Sequence, residues 1–221
     1  MTGKPVFVTG GTGYIGRPLI GALLARGHTV HALARSGSET KLPGGTLPVA
    51  GNALDASTFS AAIPPGATFV HLIGTPHPNP AKAAEFQRVD LRSIRAATAA
   101  AQRAGVRHLV YVSIAHPAPV MRAYIAARQE GESLVVASGI PATILRPWYV
   151  LGPGHWWPCL LIPFYAVLGW IPATREGAKR LGLVTLDEMK AALVRAVETP
   201  PESGVRIVAV PEIRQAQILN P

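Results

Sequence analysis

A run of glycines near the start of the chain constrains the fold more than any other feature. Residues 9–16 read TGGTGYIG, between a β-branched run at residues 6–9 and an apolar helical pattern at residues 16–26, which predicts strand, tight turn and helix. Glycine lets a backbone turn sharply and approach a pyrophosphate, and a helix start favours that charge. We therefore predict a dinucleotide-binding phosphate loop, built on Gly10, Gly11, Gly13 and Gly16.

Short strands and helices alternate along most of the chain. This order is typical of right-handed crossovers in a doubly wound parallel sheet, an α/β fold of the Rossmann type. The 221 residues fit one NAD(P)-binding domain of that type, with a small substrate-side segment near the carboxyl terminus. Further strands are predicted at residues 29–34, 47–50, 68–73, 108–112, 142–145 and 205–210, and helices at residues 55–63, 81–104, 121–138 and 185–198.

Composition and charge exclude several classes of protein. The chain is 48% hydrophobic and 15% charged, which is too apolar for disorder. Its single cysteine, Cys159, excludes a disulfide framework and suits a reducing compartment, and no signal peptide pattern is visible, so we expect a cytoplasmic protein. The net charge is +9, but the cations are scattered singly, so we expect no nucleic-acid partner. Histidines lack metal-ligand spacing, and we predict no metal.

The segment at residues 147–184 is apolar and rich in proline and tryptophan. Residues 147–174 contain no Asp, Glu, Lys or Arg, yet five prolines would break a membrane-spanning helix. We expect a lid or pocket wall within the domain. Its aromatic side chains leave a second interpretation open, in which residues 156–172 contact a membrane surface or a protein partner.

Two arginines favour NADP over NAD as the cofactor. In folds of this kind, an acid about 20 residues after the last glycine accepts hydrogen bonds from the ribose 2′-hydroxyl of NAD. Here Arg35 stands 19 residues after Gly16, and Arg17 follows that glycine directly. A guanidinium cannot accept such bonds but can bind a 2′-phosphate. We predict that both arginines contact the cofactor and that NAD is the less favoured choice.

The sequence resembles the short-chain dehydrogenase/reductase superfamily. The resemblance is to its atypical branch, which includes NmrA-like regulators, isoflavone-reductase-like enzymes and the accessory subunit of respiratory complex I. It extends from residue 5 to about residue 210. It rests on residues 9–16, on residues 52–55 (NALD), 71–74 (HLIG), 110–113 (VYVS) and 143–147 (TILRP), on the helix that carries Tyr124, and on residues 152–154 (GPG).

The resemblance implies a set of site residues. Ser113 and Tyr124 would form the catalytic pair, in which the serine steadies the substrate oxygen and the tyrosine delivers or removes its proton. Asn52 and Ala53 would border the adenine. The remaining cofactor contacts would come from Gly10, Thr12, Gly13, Tyr14 and Ile15 of the phosphate loop and from Gly74 and Thr75 after the fourth strand.

One position departs from the pattern of the family. A phenol needs a nearby cation to work near neutral pH, and the family has a lysine four residues after the tyrosine, where this chain has Arg128. We predict that Arg128 takes that role, although its planar donor fork differs from an ammonium. Glu132 continues the same helix face and is predicted to pair with Arg128. Arg146 has no acid near it in sequence, so we expect it either to pair with a distant carboxylate or to face the site, and we favour the structural role.

Two functions remain open from the sequence. The first is an NADP-dependent oxidoreductase that exchanges hydride with a small, largely apolar carbonyl or enone, with Tyr124 as acid and His116 as a weaker alternative proton donor. The second is a catalytically silent dinucleotide-binding sensor or accessory subunit, in which Tyr124 is an ordinary helix tyrosine and Ser113 only a strand-end hydroxyl. Arg128 is the residue that favours the second function.

Overall fold

A sheet of seven parallel strands forms the centre of the molecule. The computed structural model describes residues 3–118, 120–154 and 180–216. Its strands are β1 Pro5–Thr9, β2 Thr29–Ala34, β3 Leu47–Ala50, β4 Thr68–His71, β5 His108–Val112, β6 Ala142–Arg146 and β9 Val205–Ala209; the two strands between β6 and β9 in the chain form a separate small sheet. The seven strands lie in the order β3-β2-β1-β4-β5-β6-β9, so the chain runs outward from β1 first to one side and then to the other. This is the predicted doubly wound topology.

Helices cover both faces of the sheet. The described α-helices are α1 Gly16–Ala25, α2 Ala83–Glu85, α3 Arg92–Arg103, α4 Arg122–Ala137, α5 Leu186–Glu198 and α6 Val210–Gln215. The long predicted helix at residues 81–104 has an irregular first part, in which α2 continues through a π-helical stretch, Phe86–Leu91, into α3. The predicted helix at residues 55–63 is instead two short 3₁₀ turns, Ala56–Thr58 and Ser60–Ala62.

Each face of the sheet packs into its own apolar cluster. Because side chains alternate along a strand, neighbouring strand residues belong to opposite clusters. Val8 packs with α1 and α5 on one face, while Phe7 packs on the other face with α3, close to Phe59 and Phe69. The central strands β1, β4, β5 and β6 are therefore buried on both sides, as is usual in all-parallel sheets, whereas the edge strand β3 is largely exposed.

The second half of the chain contains two elements that the sequence does not predict and one segment that lies outside the described residues. A small parallel sheet pairs β7 Tyr149–Leu151 with β8 Leu183–Thr185, and neither this sheet nor α6 was predicted. Most of the predicted lid and membrane-contact segment, residues 155–179, lies outside the described residues. Within the described part of the chain, no helix is long and apolar enough to cross a membrane.

Candidate functional site

The phosphate loop joins β1 to α1 at the carboxyl edge of the sheet. Gly10 has a left-handed backbone, with φ of +78°, and an added Cβ would lie 2.9 Å from the carbonyl carbon of Leu72. A Cβ at Gly16 would collide with the carbonyl oxygen of Gly10. Both positions need glycine because strand, loop and helix approach one another closely. The loop closes with a hydrogen bond of 3.0 Å from the Gly13 N–H to the Gly10 carbonyl.

The same loop is open on the side where the phosphates of a dinucleotide are predicted to bind. Gly13 is exposed, and an added Cβ there would meet only the Gly10 carbonyl oxygen, at 3.2 Å, so this part of the loop is open to a ligand. No side chain caps the N-terminus of α1 at Ile15, and its first turn contains no acidic residue. The helix start therefore leaves N–H groups and a positive dipole end for an anion.

The predicted adenosine contacts lie at the ends of β2 and β3 and in the first turn of α1. Arg35 and Arg17 are exposed, and neither forms an ion pair with any described residue. Gly51 donates its N–H to the Ala34 carbonyl at 3.1 Å, which places Asn52 beside the end of β2. The Asn52 side chain accepts a hydrogen bond of 3.0 Å from the Leu54 N–H, and Ala53 packs on the edge of the apolar core.

A buried carboxylate that sequence reasoning missed organises the centre of the site. Asp90, in the π-helical stretch, is 1% exposed and lies 2.7 Å from the guanidinium of Arg128. It also accepts hydrogen bonds from Thr75, at 3.1 Å from the N–H and 2.5 Å from the hydroxyl. Both polar groups of Thr75 are thus used inside the protein. A side chain at Gly74 would collide with the Arg128 guanidinium, so glycine is needed there.

Arg128 is held from several sides. It is 5% exposed and donates to the backbone carbonyl of Val112 at 3.0 Å. Its guanidinium carbon lies 5.2 Å from the centre of the Tyr124 ring and 5.8 Å from that of Tyr111. Burial opposes the charge of the guanidinium, but the neighbouring tyrosines and Asp90 outweigh it and raise the pKa of Arg128. Arg128 is therefore a buried, permanently charged residue.

The predicted ion pair between Glu132 and Arg128 is wrong. Glu132 instead binds Arg146, whose Nε donates to it at 3.0 Å, and lies 3.4 Å from the imidazole of His116. The expectation failed because Arg128 points inward to Asp90, whereas Glu132 points along α4 toward the end of β6. The distant carboxylate expected for Arg146 is thus Glu132. Together with His116, this pair lies at one end of a shallow groove of about 450 Å³ between α4 and the β6–β9 edge.

The predicted catalytic pair lies at the carboxyl end of β5 and the start of α4. Ser113 is 5% exposed, its N–H donates to the Leu145 carbonyl at 2.8 Å, and its hydroxyl has no hydrogen-bond partner among the described residues. The Tyr124 ring packs against Phe86, with ring centres 4.8 Å apart, and against Arg128. The structure thus brings Arg128 to the face of the Tyr124 ring.

A buried hydrogen-bond chain connects the phosphate loop with the Asp90 region. His71 lies between the hydroxyl of Thr9, at 2.8 Å, and that of Ser93, at 3.2 Å. Ser93 in turn donates to the backbone carbonyl of Asp90 at 3.0 Å. Burial, aided by the charge of Arg128, lowers the pKa of His71 to about 3. His71 is therefore a neutral structural residue beneath the site.

Tyr14 connects the loop to the small sheet. Its ring lies against the backbone of Gly152, since a side chain at that glycine would collide with the Tyr14 hydroxyl. Burial, with a further contribution from Tyr149, raises the pKa of Tyr14. The residues after β6 are thus packed directly on the phosphate loop.

Comparisons with known proteins agree with the binding of a nicotinamide dinucleotide. A model of the NAD(P)H-binding family matches residues 10–152, more than half of the chain. The chain is 30% identical over 204 residues to a ceramide reductase of Caulobacter vibrioides, covering 88% of this chain and 61% of that protein. It is 33% identical to a 3-diazoavenalumate denitrifying reductase of a Streptomyces species, covering 88% of this chain and 72% of that protein. The chain therefore spans less than two thirds of the ceramide reductase.

A solved structure shares the fold. A short-chain dehydrogenase/reductase superfamily protein of Agrobacterium tumefaciens with bound NAD superposes with a TM-score of 0.68, covering 93% of this chain and 77% of that one. The sequence identity is 20%, so the similarity concerns the fold.

Proposed function

Because the chain belongs to the NAD(P)H-binding family and has the fold of the short-chain dehydrogenase/reductase superfamily, we propose that it is an NADP(H)-dependent oxidoreductase acting on a small, largely apolar carbonyl or enone. The observation that carries this proposal is the buried Ser113 hydroxyl, which has no partner among the described residues. A buried hydroxyl without a hydrogen bond is costly, and a substrate oxygen would supply the missing partner.

In this proposal each side chain has one task. Ser113 donates a hydrogen bond to the substrate oxygen and orients the carbonyl. Tyr124 gives its phenolic proton to that oxygen, and solvent then returns a proton to the phenol. When bound, the nicotinamide supplies the hydride that goes to the substrate carbon. Arg128, held by Asp90 at 2.7 Å, keeps a positive charge at the Tyr124 ring.

The preference for NADP rests on Arg17 and Arg35. Both are exposed, Arg17 in the first turn of α1 and Arg35 directly after β2, and neither is neutralised by an ion pair within the described residues. A 2′-phosphate would therefore meet two available guanidinium groups. The names of the two relatives, both reductases, support the reductive direction.

A second function is favoured by one observation. The two terminal nitrogens of the Arg128 guanidinium are bonded within the protein, Nη2 to Asp90 and Nη1 to the Val112 carbonyl, and Nε alone has no partner among the described residues. A protein with this arrangement can hold a dinucleotide without turning over a substrate. The alternative is therefore a catalytically silent dinucleotide-binding sensor or accessory subunit.

Steady-state oxidation of NADPH over a panel of quinones, aldehydes and enones distinguishes the two functions. With an active wild type, we expect Tyr124→Phe and Ser113→Ala each to lower kcat/KM by about 100-fold or more. Ser113→Ala removes no hydrogen bond within the described residues, so its melting temperature should stay close to that of the wild type.

Ser133→Ala is the matched control, because Ser133 is exposed on α4 and bonds only the backbone of its own helix. It should retain wild-type activity. Full activity in Tyr124→Phe would disprove the catalytic assignment. A wild type that NADPH stabilises but that is inactive on the whole panel would favour the silent binding protein.

A further inference from the structure

Glu132 connects three segments that surround the proposed catalytic pair. Its carboxylate is buried on α4 and contacts residues on two neighbouring segments. Nε of Arg146, at the end of β6, donates to one carboxylate oxygen at 3.0 Å, and Nη2 of the same guanidinium donates to the other oxygen. Nε2 of His116, in the loop after β5, lies 3.4 Å from the carboxylate. One side chain of α4 thus holds the carboxyl ends of β5 and β6.

The backbone around Ser113 is tied to the end of β6 by two hydrogen bonds. The Ser113 N–H donates to the Leu145 carbonyl, and the Ala115 N–H donates to the Pro147 carbonyl, each at 2.8 Å. Arg146 lies between these two acceptors in the chain. Its ion pair with α4 therefore also fixes the stretch of backbone to which the serine is bonded.

The Ser113 hydroxyl has no hydrogen bond of its own among the described residues. The placement of its backbone therefore decides where the oxygen lies. Tyr124, the other member of the pair, is on α4, eight positions before Glu132. Eight helical positions correspond to about 12 Å along the axis, so Glu132 does not touch a substrate oxygen that the pair binds.

The ring of His116 is in contact with α4 through both of its nitrogens. Nδ1 lies 3.3 Å from the side-chain nitrogen of Gln129, and Nε2 faces Glu132. Gln129 and Glu132 are three positions apart and so lie on neighbouring parts of one helix surface. This arrangement suits an anchor for the loop after β5 better than a proton donor to the substrate.

We propose that Glu132 is a positioning residue of the reaction. Acting through Arg146 and His116, it holds the loop after β5 against α4. Ser113 is thereby kept at the distance from Tyr124 that binding of one substrate oxygen by both groups requires. This inference rests on the oxidoreductase function proposed above. A displacement of Ser113 by about 1 Å is enough to slow such a reaction by up to about 100-fold.

Single-turnover oxidation of NADPH tests the proposal, with a substrate on which the wild type is active and at a temperature well below the Tm. Glu132→Gln preserves the size of the side chain but removes its charge. We expect it to lower the rate constant of hydride transfer by about tenfold or more. The Kd of NADPH should change by less than about twofold, because the phosphate loop is the same. A residue that only stabilises the fold would lower the Tm and leave this rate constant unchanged.

The same substitution in a Ser113→Ala background separates positioning from other effects. Because Glu132 acts through Ser113, Glu132→Gln should slow the Ser113→Ala protein by less than about twofold. Glu130→Gln, at an exposed position of α4, is the control and should retain the wild-type rate. If Glu132→Gln does not fold, Arg146→Lys replaces it. Lysine keeps the charge but not the planar fork of donors, so it should give the same non-additive pattern with Ser113→Ala.

The outcomes distinguish this proposal from the function on which it rests. With an active wild type, an unchanged rate constant in Glu132→Gln, or in Arg146→Lys where the first variant does not fold, would overturn the positioning role alone. Full additivity with Ser113→Ala would overturn it as well. A wild type that is inactive on every quinone, aldehyde and enone of the panel would overturn the proposed function, and this role with it.

Discussion

The carboxylate of Asp90 lies 2.7 Å from the guanidinium of Arg128, and both side chains are almost completely buried. A buried charge that loses its partner is strongly destabilising, because it can neither pair nor reach water. We therefore expect Asp90→Asn to lower the free energy of unfolding by about 3 kcal/mol or more. Urea denaturation of the wild type and the variant at neutral pH measures this loss of unfolding free energy.

An exposed ion pair provides the matched comparison. Arg95 and Glu130 lie 3.1 Å apart on α3 and α4, and both are largely exposed to solvent. Glu130→Gln should cost less than about 1 kcal/mol. If Asp90→Asn and Glu130→Gln lower the free energy of unfolding by similar amounts, the buried Asp90–Arg128 pair contributes no more to stability than an exposed ion pair.

A substitution at Gly13 in the phosphate loop should lower cofactor affinity with little effect on the stability of the fold. Gly13→Ala adds a methyl group on the open side of the loop, where it meets only one carbonyl oxygen at 3.2 Å. We expect it to weaken NADPH binding by about tenfold or more, with little loss of stability, because the methyl group would hold the phosphates away from the backbone. Titration calorimetry gives the affinity and urea denaturation the stability.

Two other glycines are controls for that experiment. Gly16→Ala collides with the Gly10 carbonyl and should destabilise the fold. Gly21→Ala enters open space on α1 and should change neither affinity nor stability by much. Unchanged NADPH affinity in Gly13→Ala would show that the nucleotide does not approach the loop.

Arg35 should decide the choice between the two cofactors. The wild type should bind NADPH at least tenfold more tightly than NADH, because the 2′-phosphate adds a charge-assisted bond to a guanidinium. Arg35→Asp should reverse this order, since an acid can accept from the free 2′-hydroxyl but repels the phosphate. Thermal shift with each cofactor provides the measurement, with Arg95→Ala as control. Equal shifts in the wild type would contradict the assignment.

His71 should make the fold sensitive to acid. Its pKa in the folded protein is about 3, below the ordinary value of 6.5, so between these values the unfolded chain binds the extra proton. Stability therefore falls as the pH drops below 6.5, with a contribution from His71 of about 1 kcal/mol per pH unit. His71→Gln should have a shallower slope in this window and run parallel to the wild type above pH 7. Identical slopes would refute this role for His71.

Most of the central sheet could be predicted from the sequence. A strand buried on both faces is a short continuous run of apolar residues, as in β1 Pro5–Thr9. A helix buried on one face has apolar residues every three or four positions, as in α1 Gly16–Ala25, so the two patterns are easily distinguished. The small strands β7 and β8 have three residues each, too few to show a period. Their pairing depends on contacts far apart in the sequence.

Asp90 shows why part of the site escaped prediction. An acidic residue inside a helix is usually solvated. Arg128 is 38 positions away from Asp90 in the sequence, and no residue within four positions of Asp90 indicates that the two would pair. The sequence does contain a weak signal, because Phe86, Asp90 and Ile94 recur every four residues along one mainly apolar stripe. A carboxylate on such a stripe requires a buried partner. Sequence spacing instead favours Glu132, one turn after Arg128 on α4, as the partner of Arg128.

The Asp90 carboxylate binds two residues on different elements. It accepts hydrogen bonds from the N–H and the hydroxyl of Thr75, after β4, and it pairs with the guanidinium of Arg128, on α4. An engineer who repacks α4 to admit a new substrate would therefore also shift the backbone at Thr75. Among such α4 variants, changes in the turnover number should therefore correlate with changes in cofactor affinity, unless the position of Asp90 is preserved.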